Sequence, residues 1–279
     1  MDETSKKEPS EEDENEKLNI YFLPNLFTGG NLFCGFLAIT RIVEAQLVAP
    51  YPAIRQALFL ILLACIFDLL DGRVARLGGY ESPFGREFDS LADIVSFGVA
   101  PAFLVHRIVM HDIFPGEPQI GWFVASVYLI CGALRLARFN CLAVMPGPKD
   151  KSDAFIGFPI PAAAGMVASL TLFLMWWDEK DFAQGNWRFL LPVILLFLSF
   201  MMVSEVKYPS FKTFGWKMKR TFPNMVLILV LLGFLIALRD KILPIVLPLV
   251  FIVYLIYGFI RPSISPQMRR DIEDIEQEP

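Results

Sequence analysis

Long apolar segments recur along this chain, and they constrain its fold more than any other feature. Eight stretches of about 18 to 25 residues are apolar enough to cross the hydrocarbon core of a bilayer as helices. They lie near residues 24–46, 54–76, 84–109, 120–141, 157–177, 188–206, 222–239 and 242–261. Of the 279 residues, 55% are hydrophobic and 19% are charged, which is typical of membrane proteins and not of soluble ones. The sequence therefore predicts an all-α polytopic membrane protein.

Both ends of the chain are polar and acidic. Residues 1–18 are rich in glutamate and hold no aromatic side chain, so they cannot bury enough surface to fold and are predicted to form a disordered tail. The same segment lacks the basic start of a signal peptide. Residues 262–279 are predicted to form a second tail, and residues 222–261 a helical hairpin that follows a basic loop at 207–221.

Lysine and arginine gather on one side of the predicted membrane domain. This side holds both tails, the loop before residue 84, the segment after residue 135 and the basic loop. The positive-inside rule predicts a multi-pass protein of the cell membrane with this side in the cytoplasm. The basic loop also contains aromatic residues, which would suit a nucleic-acid patch. A segment resting on anionic membrane lipids is favoured, and we expect no nucleic-acid partner.

Cysteine and histidine do not form a metal site in this sequence. The cysteines lie in or beside apolar segments without a CxxC spacing, which favours small apolar residues over a zinc site or disulfides. They are Cys34, Cys65, Cys131 and Cys141. His106 and His111 have no partner histidine at ligand spacing and are predicted to lie at the interface or in a loop.

Carboxylates repeat at helical spacing where the second span ends and the third begins. The pattern is Asp68-x-x-Asp71-Gly72-x-x-Ala75-Arg76, eight residues, then Gly85-x-x-x-Asp89-x-x-x-Asp93. On helices each half forms one stripe, and the two stripes can face each other. Four carboxylates with no histidine or thiolate nearby suit Mg²⁺ or Mn²⁺ and can hold two ions. Because carboxylates beside hydrocarbon are costly unless neutralised, the pattern predicts a metal site that binds a diphosphate ester.

Small residues and one arginine accompany the acids. Gly72, Ala75 and Gly85 leave room beside the carboxylates, and Arg76 offers a planar fork for phosphate oxygens. The alternative is a set of helix-packing glycines with an interfacial ion-pair network. The complete set at this spacing favours the phosphate site. Just before Gly85, Ser82 and Pro83 predict the N-cap and first position of the third span.

The segment from Asp68 to Asp93 resembles the signature of the membrane CDP-alcohol phosphotransferases at every fixed position. The resemblance implies a homodimer with a six-helix core, here residues 19–206, and a CDP-linked substrate that releases CMP. It also implies that Asp68, Asp71, Asp89 and Asp93 hold the metals, and that Gly72, Ala75, Arg76 and Gly85 shape the CMP-diphosphate site.

Asp93 is the predicted general base. The resemblance assigns this role to it, and a hydroxyl acceptor is a weak nucleophile at neutral pH that needs a carboxylate within hydrogen-bond reach. Binding to a metal would lower the basicity of the same carboxylate, and the sequence leaves these two roles in tension.

Two further segments concern the donor and the acceptor. Asn25 and Thr28 begin the first span and either join helices or reach the diphosphate. Arg135 and Arg138, three residues apart, suit a carboxylate or a phosphate, or else cap their own helix. With Asn140 they resemble the R-x-x-R-F-N segment of bacterial and archaeal phosphatidylserine synthases. That resemblance implies CDP-diacylglycerol as donor and L-serine as acceptor, with these three residues binding serine.

Three alternatives remain at the level of the sequence. A related enzyme could use glycerol 3-phosphate or an inositol derivative, although these acceptors would call for a denser phosphate-binding cluster. A membrane prenyltransferase also uses aspartate pairs, but the glycines and Arg76 weigh against it. A cation transporter could carry intramembrane aspartates, yet the acids here cluster in one helix-loop-helix without a matching pair in a second half.

Overall fold

Helices account for nearly all of the described chain. The computed structural model describes residues 22–45, 51–79, 82–107, 117–144, 154–178, 189–209 and 243–260. Its helices are α1 (Phe22–Glu44), α2 (Tyr51–Gly78), α3 (Pro83–Val105), α4 (Pro118–Val144), α5 (Ile160–Asp178), α6 (Leu190–Val203) and α7 (Leu243–Ile260). The prediction of an all-α membrane protein is confirmed. The predicted span 222–239, the two tails and residues 210–221 of the basic loop lie outside the described residues.

Five of these helices are long and apolar enough to cross a membrane. They are α1 to α5, taken over residues 24–44, 52–78, 83–105, 119–142 and 160–177. Helix α6 is shorter than the predicted span 188–206, because it ends at Val203 after 14 residues. At 1.5 Å per residue it is about 21 Å long, less than the roughly 30 Å of a hydrocarbon core.

A small β-ribbon was not predicted. Strand β1 (Ala154–Ile156) pairs antiparallel with β2 (Lys207–Pro209), so the segment before α5 is joined to the segment after α6. Gly157 follows β1 with a φ of +81°, a conformation that favours glycine. Its N–H donates to the Val206 carbonyl at 2.9 Å, and the Phe158 N–H donates to that of Met201 at 3.0 Å. Helix α5 therefore begins at Ile160, after this connection, and not at 157.

Small side chains let the helices approach closely. Helix α5 lies at the centre of the described core, against α2, α6 and α7. Its run Ala162-Ala163-Ala164-Gly165 precedes a largely buried stretch that extends to Met175. Packing of small residues is how membrane helices associate when lipid is as apolar as their side chains. Helices α1 and α2 form the most extensive helix pair, with buried Ala38 and Ala57 among their residues.

Gly35 marks the closest approach of α1 to α3. A Cβ built there would lie 2.7 Å from Ser96 Cα and would overlap the Ser96 hydroxyl. Ser96 Oγ donates to the Asn31 carbonyl at 2.9 Å, one turn earlier on α1. This contact holds α1 against the half of α3 that follows the acidic stripe.

We expect Gly35→Ala to destabilise the protein by about 1–3 kcal/mol, because the new methyl group must push α3 away. The measurement is the thermal unfolding midpoint in detergent. Gly29→Ala is the matched control, since no described atom lies within 4 Å of a Cβ at Gly29. On the same helix it should be neutral or stabilising by up to about 1 kcal/mol. Equal midpoints for the two variants would contradict the close contact.

Candidate functional site

The two halves of the acidic pattern lie on two helices, as predicted. Residues 68–76 belong to the last third of α2, and residues 85–93 belong to the first turns of α3. The predicted start of α3 is also confirmed: Ser82 is the N-cap, its hydroxyl accepts the Gly85 N–H at 3.0 Å, and Pro83 occupies the first turn. Asp89 lies about two turns after the capping residue Ser82, and Asp93 lies about three turns after it. The cap therefore determines which side of α3 carries both aspartates.

Three aspartates converge between these helices. Carboxylate oxygens of Asp68, Asp71 and Asp89 all lie within 4.8 Å of one another. Asp71 is buried, and Oδ1 of Asp89 is buried without a hydrogen-bond partner among the described residues. Like charges at this distance in a site with little water repel strongly. The arrangement is therefore the one expected of a cation site with hard oxygen ligands.

Asp93 lies beside this cluster but is not one of the three. It is 5% exposed and lies one helical turn after Asp89 on α3. Its Oδ1 accepts a hydrogen bond from Asn31 Nδ2 at 3.2 Å. Asp93 is therefore oriented by a neutral donor on α1.

Helix α1 orients a second aspartate as well. Thr28 Oγ1 lies 2.9 Å from Asp71 Oδ2 and 3.2 Å from the Pro24 carbonyl, so its single proton serves one of the two at a time. Of the two predicted roles for Thr28, the structure has it joining α1 to α2. Asn25 has a buried Nδ2 with no acceptor in the described part of the chain.

Asn31 and Ser96 were not predicted as site residues. Asn31 is fully buried, donates to Asp93 and has a carboxamide oxygen without a described partner. The signal in the sequence was its position one turn after Thr28, which puts both residues on one face of α1. Ser96 does not contact an aspartate in any described hydrogen bond, but its hydroxyl donates to the backbone carbonyl of Asn31.

At Gly72 and Gly85, the atoms nearest to an added Cβ belong to side chains and not to the backbone of another helix. The three atoms nearest a Cβ at Gly72 all belong to Arg76 of the same helix, at 3.4 Å or more. A Cβ at Gly85 would meet Ser82 Oγ at 3.2 Å and Asn25 Oδ1 at 3.6 Å, both polar. Gly35 is different, because an α3 backbone atom lies against it. Gly72 and Gly85 therefore border space lined by polar groups.

The cation beside this space is Arg76. It is exposed, and its charge acts on Asp68. Ala75, one residue earlier, is half-buried. An exposed guanidinium at the rim of a carboxylate cluster is placed to meet an anionic ligand that enters from outside.

A turn of π-helix follows Asp93 directly, over Ile94–Val99. Pro101 has no N–H to offer the carbonyl of Phe97 four residues earlier, and the buried Tyr128 of α4 donates its hydroxyl to that carbonyl at 3.0 Å. Turns of this kind are frequent at functional sites. Here the wider turn changes which residues of α3 face the same side before and after Asp93. The Tyr128 hydroxyl of α4 gives the Phe97 carbonyl a hydrogen-bond donor.

The residues of α4 that were predicted to bind the acceptor have different surroundings. Arg135 is 7% exposed, its guanidinium lies 5.7 Å from the centre of the Phe139 ring, and its charge acts on Asp68 and Asp93. Arg138 instead donates to the carbonyls of Val203 at 3.1 Å and Ser204 at 3.2 Å. Arg138 thus caps the C terminus of α6.

Asn140 joins α4 to α3. Its Nδ2 donates to Ser90 Oγ at 2.9 Å and approaches the Glu87 carboxylate at 3.4 Å, while its buried Oδ1 has no described partner. The roles of Arg135, Arg138 and Asn140 in binding an acceptor stay predictions. The structure brings Arg135 to the aspartates and uses the other two to hold neighbouring helices.

Among the described residues, no cysteine or histidine belongs to the three-aspartate cluster. All four cysteines are free, and Cys65 Sγ lies 3.6 Å from the Pro161 carbonyl. His106 contacts the rings of Phe103 and Trp122. His111 lies outside the described residues.

Comparison with known proteins agrees with this site. A family model described as CDP-alcohol phosphatidyltransferase matches residues 21–203, which contain α1 to α6. Similar proteins include the CDP-diacylglycerol--serine O-phosphatidyltransferase of Helicobacter pylori (strain ATCC 700392 / 26695), 37% identical over 87% of this chain and 91% of the relative. The enzyme of that name from Bacillus subtilis is 36% identical over 68% of this chain and 92% of the relative. The one from Methanocaldococcus jannaschii is 33% identical over 72% of this chain and 82% of the relative.

Proposed function

The chain belongs to the CDP-alcohol phosphatidyltransferase family, and we propose that it transfers the phosphatidyl group of CDP-diacylglycerol to the hydroxyl of L-serine. The products are phosphatidylserine and CMP. The observation that carries the proposal is the convergence of Asp68, Asp71 and Asp89 between α2 and α3. The names of three relatives from distant organisms support the choice of serine.

The donor set fits a divalent cation. Asp68, Asp71 and Asp89 would hold it with hard oxygen ligands, and the unpartnered Asp89 oxygen is one such ligand. Asp93 is the proposed fourth ligand if two ions bind. Mg²⁺ or Mn²⁺ bound there would neutralise the diphosphate and the charge that develops on the departing CMP.

On the donor side, Gly72, Ala75, Arg76 and Gly85 are proposed to shape the CMP-diphosphate site. Gly72 and Gly85 add no side-chain bulk beside the aspartates, the atoms nearest to a Cβ built at either glycine belong to polar side chains, and Arg76 reaches the phosphates from the rim. Asn25 and Thr28 are proposed to belong to the same site. The Asn25 amide, which has no acceptor among the described residues, can donate to the nucleotide. The Thr28 hydroxyl orients Asp71 by a hydrogen bond.

Asp93 is proposed to take the proton of the acceptor hydroxyl. The serine oxygen then forms a bond to the phosphorus of the phosphatidyl group, and the bond from that phosphorus to the CMP oxygen breaks. The hydrogen bond from Asn31 fixes the Asp93 carboxylate for this step. Its place beside the three-aspartate group, and not within it, supports a base over a full metal ligand.

Arg135, with Arg138 and Asn140, is proposed to bind serine. Arg135 is buried, electrostatically coupled to Asp93 and able to pair with the serine carboxylate, which places the hydroxyl near the base. Arg138 and Asn140 hold α6 and α3 around this position through their hydrogen bonds. We also propose that the site faces the cytoplasm and that the enzyme is a homodimer in a cell membrane.

The purified protein in detergent micelles containing CDP-diacylglycerol is expected to release CMP when L-serine is added. Glycerol 3-phosphate and inositol phosphate should give no release above background, since the described residues place one buried arginine, Arg135, on the acceptor side and no dense phosphate-binding cluster there. The assay follows labelled CMP and the lipid product. Release that depends on either phosphate acceptor, and not on serine, would overturn the proposed acceptor.

A further inference from the structure

Asn31 carries an unsatisfied oxygen beside the aspartate site. The residue is fully buried, its Nδ2 donates to Asp93 Oδ1 at 3.2 Å, and its Oδ1 has no hydrogen-bond partner among the described residues. A buried carbonyl oxygen without a donor is costly, and such atoms are rare in folded proteins. This oxygen therefore calls for a hydrogen-bond donor that the described part of the chain does not supply.

The orientation of the Asn31 carboxamide follows from its neighbours. An ionised carboxylate only accepts hydrogen bonds, so the amide nitrogen, and not the oxygen, must face Asp93. The backbone is held as well, because Ser96 Oγ donates to the Asn31 carbonyl at 2.9 Å. One turn later, a Cβ at Gly35 would lie 2.7 Å from Ser96 Cα. Since the single Ser96 hydroxyl proton serves the backbone carbonyl, it is not available to the side-chain oxygen.

Two acceptors of different kinds thus lie next to each other. The nitrogen and oxygen of the Asn31 amide share one carbon, and the nitrogen contacts Asp93, so the amide oxygen is a neighbour of the Asp93 carboxylate. In serine the hydroxyl and the ammonium group are on adjacent carbons. When the hydroxyl meets Asp93, the ammonium group comes within reach of the amide oxygen. A positively charged donor also suits a site with four aspartates better than a neutral one.

We infer that Asn31 binds the ammonium group of the acceptor through Oδ1, and that the acceptor site thereby selects vicinal amino alcohols. The inference rests on the proposed function, in which Asp93 takes the proton of the acceptor hydroxyl. It gives a partner to the one polar group of serine that the proposed site leaves unassigned, because the carboxylate pairs with Arg135 there. A water molecule could satisfy the same oxygen, but it would give the enzyme no preference for an amino group.

The first test compares acceptors in the wild-type enzyme. The compound 3-hydroxypropionate is serine without its amino group, and we expect its kcat/KM to be about 10- to 100-fold below that of L-serine, as for loss of a hydrogen bond to a charged group. N,N,N-trimethylserine keeps the positive charge but has no N–H, so it should react no better than 3-hydroxypropionate. Equal kcat/KM for serine and 3-hydroxypropionate, or a value for trimethylserine near that of serine, would overturn the inference.

The second test applies serine and 3-hydroxypropionate to Asn31 variants of the full-length protein. Asn31→Leu keeps the approximate shape of the side chain and removes both polar atoms. It should lower kcat/KM for both acceptors, because Asp93 loses its donor, and it should bring the two values to within about twofold of each other. Asn31→Ala should do the same without adding bulk, and it replaces Asn31→Leu if that variant does not fold. A folded variant that keeps the wild-type preference for serine would contradict the role of Asn31.

Thr40→Val is the matched control, because Thr40 lies on the same helix and its hydroxyl contacts the Phe36 and Leu37 carbonyls of α1. It should keep the wild-type preference for serine, and a similar loss there would assign the effect to the packing of α1. Failure of the proposed function gives a different result, since the wild-type protein then shows no serine-dependent release of CMP. Failure of the inference leaves that reaction intact and removes only the dependence of the acceptor preference on Asn31.

Discussion

Replacing Asp93 by asparagine is expected to lower kcat for CMP release by about 10²–10⁴-fold while the protein stays folded. The substitution removes the proton acceptor and keeps the shape of the side chain. Asn31 can still donate to the oxygen that remains, so the contact between α1 and α3 is preserved. Loss of one of four clustered carboxylates also relieves repulsion, so stability should be unchanged or higher. The measurements are kcat at saturating serine and the thermal unfolding midpoint.

Glu44→Gln is the matched control for this change. Glu44 is an exposed carboxylate near the end of α1, paired with Arg41 at 2.9 Å, and the same carboxylate-to-amide substitution there should leave kcat unchanged. Full activity in Asp93→Asn, with the control also active, would mean that another group takes the proton. Activity lost together with the folded state would instead give Asp93 a structural role only.

The aspartate cluster could be predicted from the sequence because everything it depends on is local. The i, i+3, i+4 spacing in α2 and the i, i+4, i+8 spacing in α3 put each set on one helical face. The cap formed by Ser82 and Pro83 marks where the second helix begins. A connection of only a few residues keeps the two stripes near each other, and both helices pack on α1, so Asp89 reaches Asp68 and Asp71.

Contacts between distant segments could not be predicted in this way. Asn31 and Asp93 are 62 residues apart, and the carbonyls that Arg138 caps are 65 and 66 residues further along. Which face of α1 meets α3 depends on Gly35, whose role is visible only when Ser96 lies against it. Spacing within one helix says nothing about a partner on another helix.

Backbone irregularities were missed for a related reason. Hydropathy places the fifth span at 157–177, since Phe158 and Ile160 are as apolar as the helix itself. The positive φ of Gly157 and its hydrogen bond to Val206 are properties of the ribbon that joins β1 to β2. The π-helical turn after Asp93 similarly depends on Pro101 together with a hydroxyl from α4.

Glycines illustrate what the structure adds to a motif. The sequence sets Gly72 and Gly85 apart by their acidic neighbours, but it does not show what lies against them, or against Gly35 and Gly165. Backbone of α3 lies against Gly35, and an aromatic ring lies against Gly165. Gly72 and Gly85 have only polar side-chain atoms near the built Cβ. This difference separates glycines at helix contacts from the two glycines that we propose to border the phosphate site.

Removal of divalent cations is expected to abolish the reaction, and Asp71→Asn is expected to weaken cation binding by at least about tenfold. Asp71 is buried, and Thr28 holds one of its oxygens, so the other is directed to the cluster with little freedom to be replaced. Three carboxylates within 4.8 Å cannot bind an anionic diphosphate unless cations offset their charge. Chelated protein should therefore be inactive, and either Mg²⁺ or Mn²⁺ should restore it.

Binding of Mn²⁺, followed by electron paramagnetic resonance without substrate, tests the site separately from the reaction. Wild-type protein and Glu44→Gln should bind Mn²⁺ alike, at up to about two ions per chain, while Asp71→Asn should require a higher concentration for half-saturation. Thr28→Val should show a smaller loss in the same direction, because it frees Asp71 without removing a ligand. Undiminished binding in Asp71→Asn, or full activity after chelation, would mean that the cluster of Asp68, Asp71 and Asp89 is not where the cation binds.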